Sequence, residues 1–426
     1  MTILFLFACF GLLLMLRIPI AFALGIVSLG FLIGKGEVLL PVAQRMSAAA
    51  DSFPLLAIPF YILMGKLVNE AGVTDKIFGF AQSLVGHIRG GLAHVNILSS
   101  MIFAGMSGAA VADVGGMGAM EIKAMTDNGY DVDFSAAVTC ASSTIAPIIP
   151  PSIGMVVYGV LASTSVGALF LGGVIPGVLL GLFMMVYSHI TAIRRKYPVQ
   201  PRARLRQVGS AFLQAIPGLL LPTILLGGIG AGVFTPTEAA VVAVFYAMLL
   251  GVAVYRRLGA RDLRRVLRET VDMTGVVVFV MTTASLFSWI LAREQVPQHF
   301  AEFILSVTSS PAAILFLVNI LVLVMGCFLD GISIMVIVVP IFLPILDQLG
   351  IDRVHFGVML VLNTVIGLIT PPVGVLLYAT VAVAKISFER VVRATLPFLW
   401  PMLAALVVVT YVPDVVLLIP RLFGFR

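Results

Sequence analysis

The stretch Ser143–Gly154, STIAPIIPPSIG, places three prolines in the middle of an apolar segment. Proline lacks a backbone N–H donor and breaks a helix. A second stretch, Gly367–Gly374 (GLITPPVG), repeats the Pro-Pro pattern downstream. In lipid, a broken helix is tolerated only where its freed backbone groups are buried in protein or line a polar cavity. The two stretches therefore predict two interrupted membrane helices whose breaks are buried in protein or line a polar cavity.

The composition predicts an all-α, multi-pass membrane protein. Of the 426 residues, 60% are hydrophobic and only 11% are charged, whereas soluble domains carry roughly 25% charged residues. The mean hydropathy is +1.13. The apolar segments are long and contain scattered Gly and Pro, which favours helices of about 20 residues over the alternating, roughly 10-residue strands of a barrel.

The basic residues indicate orientation and not nucleic-acid binding. The formal net charge is +6, but twelve Lys and Arg residues lie in two short segments, Arg194–Arg206 and Arg256–Arg268. Cytoplasmic loops are enriched in Lys and Arg. Assigning both segments to the cytoplasm places 20 basic residues inside and 6 outside, with Arg17 as a topology anchor. Both chain termini are then predicted to be periplasmic.

The sequence lacks the motifs of several kinds of functional site. The three cysteines, Cys9, Cys140 and Cys327, are far apart in apolar segments and are interpreted as packing residues. The histidines show no metal-binding spacing, and no P-loop is present. We therefore predict no ATP, haem or zinc site and no enzyme activity, and we interpret the glycines of Gly115–Gly118 as close helix packing.

Features of the two halves recur with a constant difference of 221 in sequence number. The pairs are Gly105 and Gly326, Gly129 and Gly350, Asp131 and Asp352, and Pro150-Pro151 and Pro371-Pro372. The positive-inside assignment makes the halves enter from opposite sides, which is the signature of an inverted-topology repeat. Each half is predicted to contain a re-entrant helical hairpin, His94–Met125 or Pro311–Leu346, followed by a broken helix.

This repeat divides the chain into five predicted segments. They are 1–91, first scaffold helices and interfacial arms; 92–166, hairpin 1 and its broken helix; 167–310, scaffold helices and an arm; 311–385, hairpin 2 and its broken helix; and 386–426, the C-terminal helix and tail. Each hairpin tip is expected to face its break near the membrane midplane. Freed carbonyls there can coordinate a cation, and half-helix N-termini can attract an anion.

Oxygen-bearing side chains concentrate at these tips and breaks, and hard cations such as Na⁺ prefer oxygen ligands. A Ser or Thr in a membrane helix can equally bond to its own helix. Asp330 is an ion-site candidate because it is ionisable, or it is the N-cap of the next helix. Asp113 has the same two interpretations, with capping preferred. Glu238 follows Thr235 at capping-box spacing.

Four motifs resemble the large membrane (permease) subunit of tripartite ATP-independent periplasmic transporters, DctM-like. They are SGAAVADVGGMGAMEIKAM (Ser107–Met125), APIIPPSIGMVVYG (Ala146–Gly159), FTPTEAAVVAVFYA (Phe234–Ala247) and ITPPVGVLLY (Ile369–Tyr378). The resemblance covers essentially the whole chain. It implies an elevator-type, Na⁺-driven importer of an organic acid, such as a C4-dicarboxylate, sugar acid or sialic acid, in the bacterial inner membrane. It also implies two partners, a periplasmic substrate-binding protein and a small four-helix membrane subunit.

The resemblance implies three sets of site residues. Sodium site 1 would comprise Ser107, Gly108, Ser143, Thr144 and Pro147. Sodium site 2 would comprise Gly326, Asp330, Gly331, Thr364, Thr370 and Pro371. The substrate would contact Ser142, Ser152, Asn363 and Gly374.

Three alternative functions remain open from the sequence. A stand-alone Na⁺/carboxylate symporter would have the same broken-helix site and need no binding protein. An ion channel is less consistent with the few membrane-embedded charges, because channels use wide polar pores with charged rings. An intramembrane enzyme would need paired catalytic carboxylates or a Ser-His pair, and neither is evident.

Overall fold

The computed structural model describes residues 2–16 and 18–425, so Arg17 and Arg426, both counted for the orientation, lie outside the described residues. The described part of the chain is helical and contains no strand, which confirms the predicted all-α fold. By length and composition, seven helical stretches in it can cross a membrane. Shorter apolar helices accompany them, among them both arms of the second broken helix, Arg353–Gly367 and Val375–Ala384.

Within the described residues there are 22 α-helices. Their bounds are α1 Thr2–Met15, α2 Ile20–Gly34, α3 Leu40–Ala50, α4 Ala57–Ala71, α5 Val73–Val85, α6 Gly91–Ser107, α7 Ala110–Asp113, α8 Ala119–Asp127, α9 Val132–Ser142, α10 Ile153–Leu161, α11 Val166–Arg195, α12 Leu205–Gly230, α13 Pro236–Leu249, α14 Ala260–Arg293, α15 Val296–Val307, α16 Pro311–Gly326, α17 Gly331–Gln348, α18 Arg353–Gly367, α19 Val375–Ala384, α20 Phe388–Thr395, α21 Leu399–Tyr411 and α22 Asp414–Leu422. Short 3₁₀ segments cover Phe53–Leu56, Ser143–Ile145 and Leu396–Phe398, and π-helical turns cover Val114–Gly118 and Leu250–Val254.

The internal repeat is present in the helices themselves. The second arm of hairpin 1 runs from Ala110 to Asp127, and that of hairpin 2 runs from Gly331 to Gln348, so the first and last positions both differ by the repeat offset. The broken helices begin at Val132 and Arg353, which differ by the same offset. The two halves are therefore built on one plan. The Pro-Pro bond of each break is cis.

The two halves interlock at their breaks. Helix α10, which follows the first break, packs on α17 of hairpin 2, and α19, which follows the second break, packs on the second arm of hairpin 1. A β-carbon on Gly154 would lie 3.3 Å from Met335, and the hydroxyl of Tyr158 donates to the Arg353 carbonyl at 2.7 Å. Both breaks consequently lie inside one helical body. The division of the chain into scaffold and transport segments stays a prediction.

Helix α14 differs from the expectation in length. The sequence predicts a span over about residues 270–291 after a basic loop, but α14 starts at Ala260 and has 34 residues. At about 1.5 Å per residue it is about 51 Å long, more than a bilayer core requires. Its first turns lie along α4, where Lys66 pairs with Glu269 at 2.6 Å and Arg265 with Glu70 at 2.8 Å.

Local capping explains where other elements begin. Thr235 and Glu238 form the predicted capping box, with the Glu238 N–H donating to Thr235 at 3.3 Å and the Thr235 N–H donating to Glu238 at 2.8 Å. Asp131, in the loop before α9, makes no cap and instead accepts from the Tyr197 hydroxyl at 2.6 Å. This hydrogen bond holds the pKa of Asp131 below its usual range.

Candidate ion and substrate site

The tip of hairpin 1 contacts the first proline break. Helix α6 ends at Ser107, and Gly108 turns the chain with φ of 65°. Positive φ is costly for residues with a side chain. A β-carbon on Gly108 would lie 2.4 Å from the Pro151 carbonyl oxygen, and one on Gly105 would lie 3.8 Å from that of Pro150. The tip can approach the break this closely only because Gly108 has no side chain.

The tip of hairpin 2 contacts the second break in a similar way. A β-carbon on Gly326 would lie 2.9 Å from the Cα of Gly367, so the two backbones touch. The Val373 N–H, just after the break, donates to the Cys327 carbonyl at 3.3 Å. Gly331 lies beside the hydroxyl of Thr364. The structure thus brings the residues expected at each sodium site into two separate tip-and-break clusters.

Hydroxyl groups in these clusters bond to their own helices. Each donates to a carbonyl three or four residues earlier, at 2.8 Å for Ser143, 2.6 Å for Thr144, 2.8 Å for Thr364 and 2.8 Å for Thr370. A hydroxyl that donates its proton in this way keeps lone pairs that can bind a cation. The role of these residues as ligands stays a prediction.

Ser107 is the exception among the predicted hydroxyls. Its side chain is 3% exposed and has no hydrogen-bond partner among the described residues. It lines a cleft of about 530 Å³ between hairpin 1 and the helices α4 and α14. Small-molecule sites typically measure about 300–1,000 Å³. The cleft is therefore large enough for a small organic anion.

The cleft contains polar residues that no sequence motif marked as site candidates. They are Lys66, Asn69 and Glu70 from α4 and Glu269 from α14. These residues lie far from the hairpin in sequence, so no local pattern linked them to it. Lys66 interrupts an apolar segment, and this signal could have marked it as a candidate. Gly65 lies against the backbone of Ser107, where a β-carbon would be only 3.0 Å from the Ser107 carbonyl oxygen. The backbone of α4 at Gly65 therefore contacts the backbone of hairpin 1 at Ser107, with no side chain between them.

Two predicted substrate residues, Ser142 and Asn363, join helices inside the protein. The Ser142 hydroxyl donates to the Asn96 side chain at 2.7 Å, and the Asn363 amide donates to the Asn319 side chain at 2.7 Å. Both Ser142 and Asn363 are fully buried. In this conformation each ties a broken helix to the first arm of its hairpin, so direct contact with substrate stays a prediction.

The other predicted residues occupy helix ends and loops at the breaks. The Ser152 hydroxyl accepts from the Met155 N–H at 3.2 Å and caps α10. Gly374 precedes α19 with φ of 54°. Pro147 and Pro371 lie in the two interruptions.

Asp330 is an N-cap, as one of its two interpretations predicted. Its carboxylate accepts from the N–H groups of Ile332 and Ser333 at 3.1 and 3.2 Å. We predict that Asp330→Ala lowers the free energy of unfolding by about 1 kcal/mol through loss of the cap. We expect Asp330→Asn to keep the cap and to lose the stabilisation that Na⁺ gives to the wild type, because the charge is removed. Thermal unfolding with and without NaCl measures both effects.

Asp352→Asn is the matched control, because Asp352 caps α18 through Val354 and His355 at 2.7 and 3.1 Å. It lies at the start of the broken helix and not at a hairpin tip, and Na⁺ should stabilise this variant fully. If Na⁺ stabilises Asp330→Asn as much as the wild type, Asp330 is a cap and not an ion ligand.

The preferred interpretation of Asp113 was wrong. Ala109 occupies the N-cap position of α7, and the Asp113 side chain is 1% exposed with neither carboxylate oxygen hydrogen-bonded in the described residues. Glu121, which no motif marked as a candidate, has the same burial and the same lack of partners. Both side chains point inward, which spacing along the sequence did not show.

Comparisons with known proteins agree with this architecture. The family model described as "Tripartite ATP-independent periplasmic transporter, DctM component" matches residues 7–415. The sialic acid TRAP transporter large permease protein SiaM of Vibrio cholerae is 45% identical over 406 residues, covering 95% of each chain. The C4-dicarboxylate TRAP transporter large permease protein DctM of Pseudomonas aeruginosa is 42% identical, covering 90% of each.

The fold also resembles a solved structure. The crystal structure of the Alcanivorax borkumensis YdaH transporter matches with a TM-score of 0.59 over 87% of each chain. At 15% sequence identity, this likeness concerns the fold alone.

Proposed function

Because the chain belongs to the DctM family of tripartite ATP-independent periplasmic transporters, we propose that it imports an organic acid by coupling to a Na⁺ gradient. It is a multi-pass membrane permease of that family and not an enzyme. The observation that carries the proposal is the pair of hairpin tips, each pressed onto a Pro-Pro break at equivalent positions of the internal repeat. Tips against broken helices create the backbone-lined sites that secondary transporters use.

Two sodium sites are proposed, one in each cluster. The first would use Ser107, Gly108, Ser143, Thr144 and Pro147, and the second Gly326, Asp330, Gly331, Thr364, Thr370 and Pro371. The hydroxyl lone pairs, the Asp330 carboxylate and the carbonyls near each break supply oxygen atoms only, which suits a hard monovalent cation. The unpartnered, buried hydroxyl of Ser107 supports the first site, since a buried polar group without a partner is costly.

The substrate is proposed to be an organic anion that enters the cleft between hairpin 1 and the helices α4 and α14. Ser107, Asn69 and Lys66 supply donors to it, and charge-assisted hydrogen bonds to an anion are the strong ones. The relatives are named for sialic acid, C4-dicarboxylates and isethionate, all acids. Ser142, Ser152, Asn363 and Gly374 surround the breaks and would contact the substrate after hairpin movement.

An elevator movement and two partners complete the proposal. The interlocked hairpins and broken helices would slide against the remaining helices, which the close Gly65–Ser107 contact favours. A small membrane subunit is proposed as a partner because the family is described as tripartite. A periplasmic binding protein would deliver the substrate. The basic segments would face the cytoplasm and both termini the periplasm of a bacterial inner membrane.

Uptake into proteoliposomes tests the proposal. The vesicles would hold this chain and its small partner and receive labelled sialic acid or C4-dicarboxylates, with and without an inward Na⁺ gradient and the binding protein. We expect uptake only when both the gradient and the binding protein are present. Uptake that does not require the binding protein would indicate a stand-alone symporter. Non-saturating flux of the substrate without a Na⁺ gradient would indicate a channel.

Ser107→Ala locates the first sodium site in the same assay. We expect the apparent Na⁺ affinity to fall about tenfold, which corresponds to about 1.4 kcal/mol and is typical of one lost contact to a charged group. Ser83→Ala is the control, because the Ser83 hydroxyl on α5 bonds to the Phe80 carbonyl of its own helix at 2.7 Å. An unchanged Na⁺ dependence in Ser107→Ala would remove Ser107 from the site.

A further inference from the structure

A pocket of about 490 Å³ lies between α5 and the first half of α12. The two helices pack tightly at one end, where a β-carbon on Gly218 would lie 2.5 Å from the Val73 side chain. Beyond that contact a space remains beside Gly79, because nothing lies within 4 Å of a β-carbon there. This α5–α12 pocket is separate from the cleft proposed for the substrate, which lies between hairpin 1 and the helices α4 and α14.

Positive charge lines the pocket without a matching carboxylate. Lys76 donates to the neutral side chain of Gln214 at 3.1 Å, and Arg206 is exposed. Neither cation forms an ion pair in the part of the chain that the structure describes. Asp75 is the only acidic residue of the two helices, and its carboxylate pairs with Arg257 at 3.0 Å. The pocket therefore attracts an anionic group.

The pocket lies where α12 meets the membrane surface. Helix α12 begins at Leu205, at the end of the basic segment Arg194–Arg206, and it is the least buried of the seven stretches that can cross a membrane. On the same turns as the pocket residues, Leu205 and Leu213 expose their apolar side chains. Basic pockets between membrane helices on the cytoplasmic side bind the headgroups of anionic lipids. With the proposed orientation, the pocket opens to the cytoplasmic leaflet.

Two other ligands match these groups less well. A zwitterionic lipid brings an ammonium group, and the one carboxylate that could receive it, Asp75, is already paired with Arg257. A soluble anion such as phosphate would contact Lys76 and Arg206 but not the exposed apolar side chains beside them. An anionic phospholipid uses both features, because its phosphate is next to its acyl chains.

We propose that the α5–α12 pocket binds the headgroup of one anionic phospholipid. Lys76 and Arg206 contact its phosphate, Ser210 and Gln214 supply further polar groups, and its acyl chains lie along the exposed face of α12. The lipid holds α5 against α12. Because α5 also packs on α6, the bound lipid stabilises the packing around the first arm of hairpin 1.

Native mass spectrometry of the purified full chain in detergent micelles measures the binding of single lipids. It requires neither Na⁺ nor substrate, so its failure is distinguishable from failure of the proposed function. Dioleoyl phosphatidylglycerol is the anionic probe, and dioleoyl phosphatidylcholine has the same chains with a zwitterionic headgroup. We expect the first phosphatidylglycerol to bind at least about tenfold more tightly than the first phosphatidylcholine, since each basic residue contributes about 1 kcal/mol.

Charge variants locate the headgroup. Lys76→Gln and Arg206→Gln should each weaken phosphatidylglycerol binding about fivefold, which corresponds to about 1 kcal/mol, and should leave phosphatidylcholine binding unchanged. Lys76→Arg keeps the charge and should bind like the wild type. Arg264→Gln is the matched control, because Arg264 is exposed on α14, forms no ion pair among the described residues and lies outside the pocket. It should leave both affinities unchanged.

A variant that fills the pocket tests its shape without changing its charge. Gly79→Leu places a side chain in the empty space and should abolish the preference for phosphatidylglycerol. Gly209→Leu is the control, because nothing lies within 4 Å of a β-carbon on Gly209 and this residue of α12 does not line the pocket. The preference should persist in it.

Three results would overturn the proposal. Equal affinity of the wild type for the two lipids would exclude a specific anionic headgroup site, and this measurement is decisive even if a variant fails to fold. Equal weakening by Arg264→Gln and by the two pocket variants would indicate attraction to diffuse surface charge. Displacement of phosphatidylglycerol by glycerol phosphate at the same concentration would indicate a site for a soluble anion.

Discussion

Gly108→Ala is expected to reduce uptake at least about tenfold, whereas Gly350→Ala retains it. Both glycines have positive φ, 65° and 66°, so each alanine brings a similar backbone penalty of about 1–2 kcal/mol. Only at Gly108 does the new β-carbon meet another group, the Pro151 carbonyl oxygen at 2.4 Å, while nothing lies within 4 Å of a β-carbon on Gly350. The tip of hairpin 1 must then move away from the first break.

Uptake and thermal unfolding measured side by side separate the two contributions. We expect both variants to lose similar stability from the backbone, with a further loss of about 1–3 kcal/mol for overpacking at Gly108 alone. Equal uptake by the two variants would mean that the contact between tip and break has no part in transport.

Gly367→Ala is expected to have a comparably large effect at the second cluster. Its β-carbon would lie 2.6 Å from the Cα of Gly326 and 3.0 Å from the carbonyl carbon and oxygen of the same residue. These are backbone atoms and cannot rotate aside as a side chain can, so hairpin 2 must shift as a unit. We expect a loss of about 3 kcal/mol in stability, at the upper end of overpacking costs, together with loss of uptake.

Gly275→Ala in α14 controls for the general effect of adding a methyl group within a membrane helix. Nothing lies within 4 Å of a β-carbon at Gly275, and alanine favours a helix over glycine by about 1 kcal/mol. This variant should unfold at the same or a higher temperature and transport normally. Normal uptake by Gly367→Ala would show that hairpin 2 and its break need not touch during the cycle.

Two charged features show where local pattern misleads. The run Arg256–Arg268 has the pattern of a basic loop, yet it contains the start of α14 at Ala260, where Asp262 accepts from the Gly259 N–H at 3.1 Å. The first turns of α14 are held by ion pairs with α4, a helix far earlier in the chain. The position of Asp113 after a hairpin tip favours a cap, but Ala109 takes that place.

The sequence by itself determined the features that depend on the backbone of a few neighbouring residues. Proline removes a donor wherever it occurs, so the breaks at Pro150-Pro151 and Pro371-Pro372 could be located directly. The repeat could then be recognised because both halves keep these residues at the same intervals along the chain. Hydropathy alone was also enough to predict a membrane protein, because the transfer of a segment into lipid depends on its amino-acid composition.

Only the tertiary structure decided which side chains share a space. The cleft joins Ser107 to Lys66 and Asn69, which belong to a different helix earlier in the chain. The burial of Asp113 and Glu121 depends on α6 and α9 packing against the second arm of hairpin 1. In an apolar helix every face looks alike in sequence, so no periodicity marks the inward side. The environment of an ionisable group arises from distant helices, and that environment determines whether it caps, pairs or holds a proton.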